Sequence, residues 1–337
     1  MSIFICGTGS YLPKKILTND DLSRMVDTND EWIRTRTGIQ ERHIAADDEA
    51  TSDLCYHASI RAIASAQLTA QDIDLILVTT ITPDTPFPAT ACYLQHRLGC
   101  RPIPALDINA ACSGFPYGLK LALHSLRDDP RCRHVLLVCG DKMSSITDWQ
   151  DRSTCVLLGD GAGAVVIKRE DNPDPNISSS GLKLKIIDIL LGSNGSGANS
   201  IIMPAGGSRK PISLQTLENR EHFFRMKGKE VFKEAVNVMC ECAEEILQRN
   251  NLNASDIDYL IPHQANIRII QAVAERLQLS EDRVIVSVQH HGNTSAASIP
   301  IALDQAIQKK DICPGQTLLT VAFGAGLTWG STLLQWS

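Results

Sequence analysis

A chain of 337 residues with a 43% apolar fraction can bury a large core, and its length predicts about two domains. The formal net charge of -6 argues against a general nucleic-acid binder. The eleven cysteines, odd in number and without close spacing, argue against a secreted disulfide framework and for reduced thiols. The start, Met1-Ser2-Ile3-Phe4-Ile5-Cys6, has too short an apolar run for a signal peptide and no basic leader. Nothing approaches the roughly 18 continuous apolar residues of a membrane span, so a soluble cytoplasmic protein is expected.

Residues 3–7 read as a first strand, ended by Gly7-Thr8-Gly9-Ser10. That Gly-x-Gly lacks the third glycine of a dinucleotide fingerprint. Residues 18–42 carry Trp32, Arg34, Arg36 and Arg42 in a polar setting. An aromatic beside arginines can stack on an adenine and pair with phosphates; a solvated helix and loop is the plainer alternative. An amphipathic helix is predicted over 51–68 with Thr51 or Ser52 as its cap, and a buried strand over 74–80. Pro83, Pro86 and Pro88 make a rigid loop before a helix over 89–98.

Residues 104–108 read as a buried strand, and 114–126 as a helix with Pro116 in its first turn. Cys112 therefore lies at a strand-to-helix junction, near the positive end of a helix dipole. A thiol there is expected to ionise more easily, and neighbouring N–H groups can bind an oxyanion. The alternative is a small buried hydrophobe. A strand over 134–139 follows, then Gly159-Asp160-Gly161-Ala162-Gly163-Ala164 ahead of another strand. Its small residues permit close packing, and its spacing does not match a phosphate loop.

The polar, proline-containing run 170–176 reads as a linker, dividing the chain into residues 1–172 and 173–337. A strand over 184–191 precedes a long irregular stretch to about residue 222. Arg209, Lys210, Arg220, Arg225, Lys227, Lys229 and Lys233 give the region around its end a local basic excess, suited to an anionic partner or simply solvated. A long helix over 228–248 carries Cys240 and Cys242 on different faces, which excludes a zinc pair. Residues 69–76 (TAQDIDLI) echo residues 253–260 (NASDIDYL), and Gly161-Ala162-Gly163 echoes Gly324-Ala325-Gly326. Each half alternates strand and helix, which predicts a layered α/β fold built from a duplicated unit.

In the second half, His263 follows a strand over 257–261, where α/β proteins place sites. Asn293 follows a predicted strand over 285–288 and opens a helix, where a plain N-cap is the alternative role. His290 and His291 are adjacent and make a poor metal pair. If the halves are related by a pseudo-twofold axis, Cys112, His263 and Asn293 can face one cavity. A thiolate there could take an acyl group from a thioester. An imidazole N–H and a carboxamide could then stabilise the enolate left when a malonyl thioester loses carbon dioxide.

Seven segments in order carry a resemblance that runs nearly end to end. They are Trp32-Ile33-Arg34-Thr35-Arg36-Thr37-Gly38-Ile39, Asn109-Ala110-Ala111-Cys112-Ser113-Gly114-Phe115, Asp151-Arg152-Ser153-Thr154, the run 159–164, Gly228-Lys229-Glu230-Val231-Phe232-Lys233, Pro262-His263-Gln264-Ala265-Asn266 and Gly292-Asn293-Thr294-Ser295-Ala296-Ala297-Ser298. The chain resembles β-ketoacyl-acyl-carrier-protein synthase III of the thiolase-like superfamily.

The resemblance implies a thiolase-like αβαβα fold of two duplicated halves and a homodimer with no metal or redox cofactor. The activity it implies is a decarboxylating condensation of a short acyl-coenzyme A, acetyl by expectation, with malonyl-acyl-carrier protein. It implies Cys112 as nucleophile, His263 and Asn293 as the decarboxylation pair, and the N–H groups of Cys112 and Ala325 as oxyanion hole. Coenzyme A contacts are implied at Trp32, Arg36, Arg152, Phe232, Ala265 and Asn266, with Trp32 and Arg152 sandwiching the adenine. Arg268, Lys229 and Lys233 would dock the carrier protein, and Phe87 would reach across the dimer to bound the partner's acyl pocket. His291 stands where the family often has tyrosine, Lys227 replaces a small polar residue, and residues 192–225 are long for the family. A synthase using another primer, a non-catalytic carrier-protein subunit and a true thiolase are the alternatives. The last would need a second cysteine near Gly324-Ala325-Gly326, and none is there.

Overall fold

A computed structural model describes residues 1–171 and 181–337. In chain order the strands are β1 (Ser2–Tyr11), β2 (Lys15–Thr18), β3 (Glu41–Ile44), β4 (Leu75–Thr79), β5 (Ala105–Ile108), β6 (His134–Asp141), β7 (Gly161–Glu170), β8 (Leu184–Ser193), β9 (Ile201–Ile202), β10 (Arg225–Met226), β11 (Tyr259–Pro262), β12 (Thr317–Gly324) and β13 (Thr328–Trp336). Nine of them form one sheet, ordered β11-β12-β13-β8-β1-β7-β6-β4-β5. It is two sheets joined at an edge, since β1 and β8 pair only through Phe4–Lys185 and Ile5–Leu184.

Alternation along the strands builds the layers. On β6, Val135, Leu137 and Cys139 face the central core while Leu136 and Val138 face an outer one. On β12, Leu318 and Ala322 face the same central core, and Leu319, Val321 and Phe323 face the opposite outer one. The helices Gly114–Asp128 and Ser298–Lys309 fill the middle. Helix Thr51–Ser65 covers the first sheet, and Gly228–Arg249 with Ile267–Arg276 covers the second. The result is the layered αβαβα arrangement expected.

The halves repeat in detail. Thr69 N–H donates to Asp72 Oδ2 at 2.8 Å just before β4, and Asn253 N–H donates to Asp256 Oδ2 at 2.8 Å just before β11. Asp74 Oδ2 then accepts from His134 N–H at the start of β6, as Asp258 Oδ2 accepts from Thr317 N–H at the start of β12. The sequence echo thus marks equivalent strand entries. The division expected at residue 172, and most of the 170–176 linker, lie outside the described residues.

Four expectations differ from the structure. Gly7 and Gly9 do not end the first strand; they lie inside β1. A Cβ at Gly7 would stand 2.4 Å from Ala62 O, and one at Gly9 2.4 Å from Ala58 O, so these glycines let helix Thr51–Ser65 press onto the strand. The cap of that helix is Ala50, whose N–H donates to Asp53 Oδ2 at 2.7 Å. Thr51 and Ser52 instead bond Thr82 O and Asp84. The strand expected over 285–288 reduces to a single parallel bridge between Leu260 and Val284, and Val288–His291 is a short helical turn. The stretch 192–225 is not irregular throughout: β9 pairs with β10, and Leu214–Glu218 is helical.

No described helix is long and apolar enough to cross a membrane. All eleven cysteines are unbridged. Gly163 of the small-residue run faces the helix Ser298–Lys309, where a Cβ would stand 2.8 Å from Ile301 N. Gly163→Ala should therefore destabilise the fold by about 1–3 kcal/mol through overpacking against backbone. A lowered urea midpoint at unchanged slope is the expected readout.

Candidate active site

Two strand-to-helix turns build the floor of the site. After β5, residues Ala111–Ser113 make a 3-10 turn that enters helix Gly114–Asp128. In the other half, Ser295–Ala297 make the same turn into helix Ser298–Lys309. Each turn opens on a non-glycine residue with left-handed backbone, Ala111 at φ 45 and Ser295 at φ 53. Such a conformation is costly and persists only where its surroundings over-determine it. Here the surroundings are close. A Cβ on Gly324 would lie 2.7 Å from Cys112 N. Thr328 Oγ1 donates to Ala110 O at 3.0 Å, and Ser113 Oγ donates to Thr328 O at 2.9 Å. The end of β12 and the start of β13 thus clamp the Cys112 turn, with Ala325 between them.

A cavity of about 260 Å³ brings the predicted residues together. Cys112, His263, Asn293 and Ala325 line it, together with Trp32, Arg36, Phe232, Ala265, Asn266 and Arg268. Cys112 Sγ contacts Ser295 Oγ at 3.8 Å. Burial pushes the thiol up to about 12, against the contributions of Ser295 and its own N–H. The easier ionisation expected from the helix terminus is therefore overridden by removal of the sulfur from water. The resting group is a neutral thiol.

His263 is 4% exposed. Burial lowers its imidazole to about 4, so it too is neutral. Its Nδ1 meets Ser298 Oγ at 2.7 Å, and Ser298 Oγ already accepts from Gln264 N–H at 3.2 Å. The remaining proton of Ser298 is best used on Nδ1, which leaves Nε2 carrying the imidazole hydrogen. Asn293 Oδ1 accepts from Ser295 N–H at 2.9 Å. That bond fixes the amide so that Nδ2 is its free donor. The capping role and the cavity-facing role of Asn293 therefore coexist in one side chain.

At the solvent end, Trp32 lies in the helix Asp30–Thr37, capped by Asn29 Oδ1. Arg152 sits over its ring at 4.9 Å and Arg36 at 5.2 Å. A base inserted between Trp32 and Arg152 needs about 7 Å, two van der Waals layers, so Arg152 must swing out to admit it. It is held by Asp27 O at 2.5 Å. Asn266 caps the helix Ile267–Arg276 through Oδ1 and donates Nδ2 to Arg36 O at 3.1 Å. Arg268 lies over Phe232 at 5.7 Å. Phe87 is 86% exposed and is not among the residues lining this cavity.

Other sequence readings separate here. Arg42 does not face a ligand. It is fully buried and donates to Leu17 O, Asn19 Oδ1 and Val156 O. Arg34 pairs with Asp30. The basic excess is smaller than its sequence implies, because Lys210 pairs with Glu221, Arg220 with Asp148 and Lys227 with Glu230. Lys229, Lys233 and Arg268 remain exposed; Arg268 lines the cavity, and the two lysines follow its lining residues Gly228 and Phe232 in the chain. His291 packs on His43 at 5.7 Å and meets Gln305 Oε1 at 3.0 Å, away from the cavity. Cys242 donates to Ser331 Oγ, and Cys240 joins the outer core.

Sequence reasoning did not single out Ile81, Met143, Ile201, Phe224 and Met226, which give the cavity an apolar lining. Ser295, Ser298 and Gly324 also escaped notice as individuals, although each lies in or beside a motif already marked. Their roles depend on neighbours from the other half of the chain.

Comparison with known proteins agrees with this architecture. Family models described as 3-oxoacyl-[acyl-carrier-protein] synthase III match residues 106–185, and as its C-terminal part residues 247–336. A β-ketoacyl-[acyl-carrier-protein] synthase III from Caldanaerobacter subterraneus is 51% identical, over 99% of this chain and 97% of that one. The crystal structure of 3-oxoacyl-[acyl-carrier-protein] synthase III from Aquifex aeolicus superposes with TM-score 0.87 at 42% identity, covering 99% of each chain. The priming β-ketosynthase of the R1128 polyketide pathway superposes with TM-score 0.87 at 34% identity, covering 99% of this chain and 96% of that one. With its two matched α/β halves and the cavity between them, the chain is a condensing acyltransferase and belongs to the β-ketoacyl-[acyl-carrier-protein] synthase III family.

Proposed function

We propose that Cys112 takes the acyl group of a short acyl-coenzyme A and condenses it with malonyl-acyl-carrier protein. The observation that carries this reading is the meeting of Cys112, His263 and Asn293 on one cavity, with Cys112 lying 151 and 181 residues before the other two in the chain. The acyl thioester enters first, and Cys112 Sγ attacks its carbonyl carbon. The N–H groups of Cys112 and Ala325 stabilise the oxyanion, and coenzyme A leaves as its thiol. Malonyl thioester then binds with its carbonyl oxygen between His263 Nε2–H and Asn293 Nδ2–H. Loss of carbon dioxide leaves an enolate held by these two neutral donors. Its carbon attacks the acyl-Cys112 carbonyl, and the sulfur departs to give a β-ketoacyl product.

Cys112→Ala should abolish acyl-enzyme formation. His263→Ala and Asn293→Ala should retain acylation but lower malonyl decarboxylation by roughly 10²–10³-fold. Intact-protein mass spectrometry reads the first half-reaction and carbon dioxide release the second. Normal condensation by Asn293→Ala would contradict the pairing.

The pH dependence follows from His263. Its ordinary value is 6.5 and burial lowers it to about 4. Below 6.5 the unfolded chain binds this proton and the folded protein does not, so folding stability falls as pH drops from 6.5 towards 4. Above about pH 5 the imidazole stays neutral, so the decarboxylation half-reaction should show no inflection near 6.5. An inflection there that disappears in His263→Gln would contradict this.

Trp32 and Arg152 are proposed to hold the coenzyme A adenine once Arg152 leaves the Trp32 ring, and Arg36 to meet its phosphates. Phe232, Ala265 and Asn266 are proposed to line the pantetheine path. The exposed cations Arg268, Lys229 and Lys233 suit an acidic carrier protein. Arg268→Glu should raise the KM for malonyl-carrier protein by about tenfold or more at low salt, with a smaller effect at high salt and on acyl-coenzyme A. Equal effects on both substrates would contradict a docking role.

A homodimer is proposed in which exposed Phe87 bounds the partner's acyl pocket. A second reading changes only the primer. The likeness to a polyketide priming synthase, and a wall built partly from Ile201, Phe224 and Met226, favour considering acyl groups longer than acetyl. Mass spectrometry of Cys112 after exposure to a series of acyl-coenzyme A thioesters separates the two.

A further inference from the structure

One residue anchors both ends of the segment that carries Asn293. His263, Ala265 and Asn266 line the cavity, but Gln264, which lies among them in the chain, places its side chain against backbone instead. It is 1% exposed. Its Nε2 donates to Pro262 O at 2.7 Å and to Ile285 O at 3.1 Å. Its Oε1 accepts from Ser287 N–H at 2.7 Å and from Val288 N–H at 3.2 Å. Both donors and both acceptor positions of the amide are therefore filled.

These bonds stand in for a strand ladder. Ile285 N–H still donates to Leu260 O at 2.9 Å, beside the Leu260–Val284 bridge. From there to Val288 it is the Gln264 amide that meets the backbone of the segment. The other anchor is Ser298. Gln264 N–H donates to Ser298 Oγ at 3.2 Å, and the same hydroxyl meets His263 Nδ1 at 2.7 Å. Asn293 thus lies five residues after Val288 and five before Ser298, on a short length of chain tied to Gln264 at both ends. The first half of the molecule holds Asn293 separately, since Asn293 N–H donates to Leu157 O at 2.8 Å and Gly159 N–H donates to Asn293 O at 3.1 Å. Those bonds set Asn293 against the Cys112 half, and the Gln264 bonds set it against His263.

We propose that Gln264 and Ser298 are positioning residues that fix the spacing and orientation of the His263 and Asn293 donors. This rests on those two residues as the decarboxylation pair. Ser298 gives its hydrogen to Nδ1 and so keeps Nε2–H as the donor. Gln264 stops the Asn293 segment from shifting relative to the imidazole. An enolate oxygen shared by two N–H groups needs both within hydrogen-bond distance at once, and a misplacement of about 1 Å can cost about 10²-fold in rate. Acylation of Cys112 uses the Cys112 and Ala325 N–H groups and does not call on this pair.

The test compares the full chain with Ser298→Ala and Gln264→Glu. The first removes the hydroxyl. The second keeps the shape and both acceptor positions but supplies at most one hydrogen where the amide supplies two. Acetylation by acetyl-coenzyme A is followed by intact-protein mass spectrometry, and carbon dioxide release from malonyl-carrier protein is then timed on the acetylated enzyme. Both variants should acetylate at close to the wild-type rate. Both should release carbon dioxide at least about tenfold more slowly, through kcat rather than KM. Nitrogen-15 spectra of histidine-labelled protein, with the His263 signals identified by their loss in His263→Gln, add a readout that a merely structural role would not move. Wild type and Gln264→Glu should carry the His263 hydrogen on Nε2, whereas Ser298→Ala should gain a population carrying it on Nδ1.

Wild-type carbon dioxide release in either variant would overturn the proposal, as would equal slowing of acetylation and decarboxylation. So would a wild-type imidazole with its hydrogen on Nδ1. If Gln264→Glu does not fold, Ser298→Ala decides by the same measurements. If His263→Ala and Asn293→Ala release carbon dioxide normally, the pair assignment falls and the positioning role with it. If those two are slow and Ser298→Ala or Gln264→Glu is not, the positioning role falls alone.

Discussion

The site depends on two chain turns that could not stand alone. Ala111 and Ser295 both adopt left-handed backbone at the entry to a central helix. Each strained turn is held by the other half of the molecule. Gly324 presses on Cys112 N, Thr328 bonds Ala110 O, and Gly163 lets β7 close on the helix that follows Ser295. Any bulk at these contacts would push the turns apart. The duplicated architecture is therefore what brings a cysteine from one half against an asparagine and a histidine from the other.

Charge is nearly absent from the reacting centre. The thiol and the imidazole are both driven to their neutral forms by burial, and the third group is an amide. In the proposed reaction this favours an enolate, because fixed N–H dipoles of two neutral groups stabilise it. Exposed positive charge lies on Arg36 and Arg268, which line the cavity, and on Lys229 and Lys233, which follow its lining residues Gly228 and Phe232 in the chain. The gradient suits a substrate whose reactive end is compact and whose handle is anionic.

Much of this was legible in the sequence. Cys112, His263 and Asn293 each stand where a chain segment gives way to a helix or turn, and the echoed entries before β4 and β11 marked the repeat. What the sequence hid was contact across the halves. Gly7 and Gly9 look like a turn because their neighbour, helix Thr51–Ser65, is not visible in a linear string. Arg42 looks like a surface cation until its three acceptors close around it. The basic run after residue 208 looks unpaired because Asp148 lies far upstream.

The central claim is that one void is shared by the sulfur, the imidazole and the carboxamide. A high-resolution crystal structure of the protein acetylated on Cys112 tests it most directly. The account predicts the acetyl oxygen within hydrogen-bond distance of the Cys112 and Ala325 N–H groups, with His263 Nε2 and Asn293 Nδ2 both facing the space beside the acetyl carbon. An acetyl group on another residue, or His263 and Asn293 turned to separate pockets, would contradict it.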